Sequence, residues 1–83
     1  MKPEVFFKKY FLEKVNERQF KKIRDKDLLA EGILDSLDIV ILSTKIKKTY
    51  RINIKINSQK ILNLFRSYDE LLNFVKKNVK NKK

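Results

Sequence analysis

The residues best placed to do chemistry stand together in one run, Gly32-Ile33-Leu34-Asp35-Ser36-Leu37-Asp38. Ser36 is a hydroxyl flanked by two carboxylates. The chain has no histidine and no cysteine, so it lacks the commonest general base, the commonest metal ligand and any thiol. Ser36 therefore has no obvious means of activating itself. What the spacing does describe is the opening of a helix. Asp35 suits the N-cap, where its carboxylate accepts first-turn N–H groups. Asp38, three residues on, suits the positive end of the helix dipole. Ser36 then sits at the helix mouth, among the free N–H groups of the first turn. Taken alone, a serine at such a place is more often a plain cap or first-turn residue.

Charge singles out the same region. Residues 27–44 contain no Lys or Arg but hold Asp27, Glu31, Asp35 and Asp38. Residues 1–26 carry nine basic and four acidic side chains, and residues 45–83 carry twelve and two. An acidic island thus interrupts a chain of net charge +11. The four acids have no metal-ligand spacing, and an enzyme is not expected. The basic excess suits a polyanion partner, but joint enrichment in Lys, Ile and Asn is also what a genome biased toward A and T produces.

The elements that must position this run follow from hydrophobic periodicity. Pro3 fits the first turn of a helix. Val5, Phe6, Phe7, Tyr10, Phe11, Leu12 and Val15 recur at spacings of three and four, predicting an amphipathic helix to about Asn16 whose apolar side faces the core. Residues 17–27 are mostly charged. Phe20 and Ile23 either extend that helix or form a turn of their own. Leu28, Leu29, Ile33 and Leu34 are too apolar for a solvated linker, so this connection must lie over the core, with Gly32 permitting an unusual backbone conformation. A second helix is expected from Ser36 to Tyr50, with Lys45, Lys47, Lys48 and Arg51 near its negative end. Ile52, Ile54 and Ile56 alternate with polar residues. With no partner strand, they predict an extended connection that buries alternate isoleucines. A short helix follows at about 58–64, then a capping-box signature, Ser67-Tyr68-Asp69-Glu70, opens a last helix with Leu71, Leu72, Phe74 and Val75 on its apolar side. The expectation is one all-α domain over residues 1–77 with three longer helices, one short helix and a long first loop, then a frayed basic tail at 78–83.

The Gly32–Asp38 run resembles the attachment motif of acyl carrier proteins and the related peptidyl carriers. The likeness extends from about Leu28 to Val75: Tyr50-Arg51-Ile52-Asn53-Ile54 is similar to the segment after that family's second helix, and Phe65-Arg66-Ser67 with Leu71 to the start of its last. The resemblance implies a four-helix bundle. It also implies that Ser36 carries 4′-phosphopantetheine, transferred from coenzyme A by a phosphopantetheinyl transferase, whose thiol bears a cargo as a thioester. A cargo-loading ligase or acyltransferase and downstream synthases are the further partners implied. Asp35, Leu37, Asp38 and Ile41 are the candidate partner-recognition residues, and the acidic island offers basic enzymes a complementary surface. One departure stands out. Ile41 occupies a position where the family commonly has an acid, and Lys47 and Lys48 replace acids further along. A carrier for a specialised pathway is therefore expected ahead of one serving housekeeping fatty-acid synthesis.

Two other classes compete. A small nucleic-acid-binding helical domain would use Lys45, Lys47, Lys48, Arg51 and Lys55 on phosphates, although the island would repel a duplex. A membrane-surface protein would use the first helix. No apolar run is long enough to span a bilayer, and no secretory signal is recognisable. The expectation is a cytoplasmic monomer with no nucleic-acid partner and no membrane span.

Overall fold

The computed structural model of the chain describes residues 2–79. Five helices pack into a small all-α bundle: α1 (Pro3–Leu12), α2 (Glu17–Lys21), α3 (Ser36–Tyr50), α4 (Gln59–Leu64) and α5 (Tyr68–Asn78), with a 3-10 turn at Ile23–Asp25 between α2 and α3. There is no strand among the described residues. The tail expected at 78–83 falls largely on residues outside those described. Asn78 itself closes α5, donating its side-chain amide to the Phe74 carbonyl at 2.7 Å.

The first helix ends earlier than its hydrophobic period suggests, at Leu12 rather than Asn16. The reason lies in Asn16. Its Oδ1 accepts the Gln19 N–H at 2.8 Å while the Gln19 side chain accepts the Asn16 N–H at 3.0 Å. This reciprocal box satisfies donors that would otherwise be orphaned, and so starts a new helix, α2. Phe20 and Ile23 thus belong to turns of their own, and the bundle has two short helices where one was expected.

The core explains why α1 is so aromatic. Phe7, Tyr10 and Phe11 are buried, and Tyr68 of α5 meets Phe7, Phe11 and Phe20 edge-on at centroid distances of 6.2, 5.5 and 5.6 Å. Such T-shaped contacts add specificity to area burial. The face that could have lain on a membrane surface is therefore occupied by α5 and α2.

The long connection before α3 lies over this core as expected. Leu28 and Leu34 are fully buried, and the Leu28 N–H donates to the Arg66 carbonyl at 2.7 Å, tying the loop to the α4–α5 junction. Asp27 caps the turn that follows, accepting the N–H groups of Leu29 and Ala30 at 3.1 and 3.0 Å. Gly32 takes φ +75°, a left-handed conformation that a side chain would strain. After α3, Ile52 and Ile54 are buried and Ile56 half-buried from a segment without regular structure. These two connections hold α3 in place, leaving one face of that helix without a neighbour.

Candidate functional site

Ser36 is the first residue of α3 and is exposed. Asp35, extended at φ −117°, is its N-cap. The Asp38 N–H donates to Asp35 Oδ1 at 2.9 Å, and the Asp35 N–H donates to Asp38 Oδ2 at 3.1 Å. The cap thus closes on itself with an aspartate in the place usually held by Glu or Gln. The N–H groups of Ser36 and Leu37 have no carbonyl partner within the helix, as at any α-helix start. They point out of the same turn as the serine hydroxyl. A phosphate attached to that hydroxyl would meet free donors and the positive helix end.

The candidate recognition residues separate into two groups. Leu37 and Ile41 project outward, 66% and 38% exposed, and Val40 joins them at 49%. Asp35 is also exposed. Asp38 is not: at 8% exposure it is one of only two polar side chains buried among the described residues. Its carboxylate forms an ion pair with Lys14 and accepts the Tyr10 hydroxyl at 3.3 Å. Burial raises the Asp38 pKa, but the Lys14 ammonium and the Asp35 N–H outweigh it and hold the carboxyl below its usual range. Burial, and after it the Asp38 charge, pushes the Tyr10 phenol up. Asp38 therefore fastens the start of α3 to the residues around the end of α1.

A second acid of the island is likewise engaged. Asp27 forms an ion pair with Arg66 at 3.1 Å, and N–H donors and that guanidinium lower its pKa. Of the four island acids, Asp27 and Asp38 are paired with cations, which leaves Glu31 and Asp35 as exposed negative charge, Asp35 directly beside the serine. The island is less negative at its surface than its sequence suggests.

Ser36 opens onto a cleft of about 600 Å³ between the start of α3, the loop before it and α4. Leu29, Leu34, Ile39, Val40, Ile56 and Leu62 give it apolar walls, with Gln59 and Arg66 as its polar members besides Asp35 and Ser36. Sequence reasoning did not bring these residues together. Leu29, Ile56 and Leu62 come from three separate segments, and no local pattern announces that they share a wall. The Lys14 partner of Asp38 was equally hidden, because a lysine on a mostly charged helix flank has no distinguishing spacing. The cations that could have faced nucleic acid, Lys45, Lys47, Lys48, Arg51 and Lys55, are all exposed.

No candidate metal cluster of His, Cys, Asp or Glu occurs among the described residues. No described helix is long and apolar enough to cross a membrane. The chain matches no family model, no curated protein and no solved structure.

Proposed function

We propose that this protein is a carrier of the acyl or peptidyl type, with 4′-phosphopantetheine attached to Ser36 and no catalytic activity of its own. The observation that carries the reading is the exposed Ser36 hydroxyl at the first position of a 15-residue helix, within the Gly32–Asp38 run. The surroundings fit the group. The hydroxyl is accessible to a transferase, the helix mouth favours the phosphodiester, and an apolar cleft opens beside it for an acyl chain. The group would supply a flexible thiol able to hold an acyl or aminoacyl cargo as a thioester. This chain's own residues would position it: Asp35 and Asp38 hold the helix start, and Leu37 beside the post is exposed.

The departures at Ile41, Lys47 and Lys48 support a specialised pathway over housekeeping fatty-acid synthesis. A transferase, a loading ligase or acyltransferase and downstream synthases are the partners this role requires. The direct test is intact-mass analysis after incubation with coenzyme A and a promiscuous phosphopantetheinyl transferase. A gain of one phosphopantetheine is expected for the native chain and none for Ser36→Ala. A native chain that stays at its unmodified mass, while a control carrier is converted in the same tube, removes the reading.

A further inference from the structure

The solvent face of α3 changes character along its length. Near the serine it is apolar, with Leu37, Val40 and Ile41 all exposed. Residues three and four apart share a helix face, so the row begun by Leu37 and Ile41 continues through Lys45 and Lys48, which are also exposed. These two lysines line a groove of about 290 Å³ between α3 and α1. Phe6 and Tyr10 contribute its apolar surface, and Lys9 and Glu13 of the α1 side also line it. Three ammonium groups face one carboxylate there. Asp38, whose carboxylate accepts from Tyr10 beside the groove, does not balance them, because it is turned inward onto Lys14.

We infer that this face, from Leu37 to the lysine-lined groove, docks a protein surface that pairs an apolar ridge with acidic side chains. The surface itself is placed by exposure and charge alone; that its occupant is an enzyme acting on the Ser36 cargo rests on the carrier reading. The polarity is opposite to the one the acidic island suggests in the sequence, because the exposed face runs past the island onto Lys45 and Lys48, with Lys9 across the groove. A nucleic acid matches less well. Its phosphates would suit the lysines but leave Leu37, Val40 and Ile41 without an apolar partner, and Glu31 and Asp35 at the serine end would repel it. An anionic bilayer would have to take in the Asp35 carboxylate beside Leu37, which is costly.

The test titrates the ¹⁵N-labelled full-length chain with a 20-residue helical peptide carrying Leu and Phe along one face and Glu on both flanks. One control peptide keeps the charges and replaces the apolar row with Gln; a second keeps the row and replaces Glu with Lys. Amide shifts confined to α3 and the facing part of α1 are expected with the first peptide. Affinity should fall by roughly tenfold or more with either control, and in the K45E/K48E and L37A/I41A variants. These four positions are exposed, so the variants should keep the native spectrum elsewhere. Equal binding of all three peptides, or shifts away from α3, overturns the inference. A DNA duplex or an anionic phosphatidylglycerol vesicle that binds this face as tightly as the acidic peptide also overturns it. Failure of Ser36 to accept phosphopantetheine, with peptide binding intact, removes the enzyme role but leaves the docking surface standing.

Discussion

Two aspartates three residues apart, alike in the sequence, do different work. Asp35 is a cap in solvent, and Asp38 is a buried anchor that joins α3 to Lys14 and Tyr10. Truncating a buried, charged hydrogen-bond partner leaves its partners unsatisfied. Asp38→Ala should therefore cost about 2 kcal/mol or more, whereas Asp35→Ala should cost about 1 kcal/mol, the usual worth of a cap. Acid should expose the same difference. The folded Asp38 carboxyl is held below the ordinary aspartate value, so the unfolded chain binds its proton first as pH falls. Its contribution is complete above that value and drains away as pH drops through the depressed folded one. Urea midpoints measured from pH 5 to pH 2.5 should fall less steeply in Asp38→Asn than in the native chain. An unchanged slope would place the acid sensitivity elsewhere, in Glu4 or Asp27, whose carboxyls are also held low. The cap was legible because capping is a rule about neighbours in sequence. The anchor was not, because Lys14 and Tyr10 lie 24 and 28 residues away, and nothing in a linear pattern distinguishes a lysine that folds back from one that stays in water.

Helices carry most of what could be read in advance, since period and caps are local. The Asp35 cap of α3 and the Ser67 cap of α5, each accepting an N–H three residues on, follow from residue types at fixed offsets. The short α2 was legible only as one of two alternatives, because Phe20 and Ile23 keep a helical spacing that fits both an extended α1 and a separate turn; the Asn16–Gln19 box decides for the second. The end of α3 makes an element-scale prediction. Arg51 closes the helix in the left-handed region, at φ 61°, with its N–H donating to the Lys47 carbonyl at 2.8 Å. Glycine adopts that conformation freely, whereas a side chain costs about 1 kcal/mol. Arg51→Gly should release that strain and lose part of the gain to the greater freedom of the unfolded chain, for a net stabilisation of roughly 0.5 kcal/mol. A urea midpoint raised at constant m-value is the expected result. A lowered midpoint would mean that the Arg51 side chain contributes contacts worth more than the strain it causes.

For the molecule as a whole, the question is how a domain this small tolerates a net charge of +11. Among the described residues, four ion pairs hold some of the charge: Lys14–Asp38, Arg24–Asp69, Arg66–Asp27 and Lys76–Glu4. The last three are largely exposed, and pairs of that kind contribute little. The remaining lysines repel one another across a short distance, most of all where Lys9, Lys45 and Lys48 share one groove. Salt screens both attraction and repulsion over about 10 Å at 0.1 M. With more repulsion than attraction at the surface, screening should be net stabilising. Raising NaCl from about 20 mM to about 200 mM should lift the melting temperature by a few degrees, on the order of 2–4 °C. The K45E/K48E variant should melt higher than the native chain at low salt and respond less to added salt, because two repelling cations have become anions beside Lys9. If the native melting temperature instead fell with salt, the ion pairs would outweigh the lysine excess. The basic groove would then be a relaxed surface, without the stored repulsion that an acidic partner could relieve on docking.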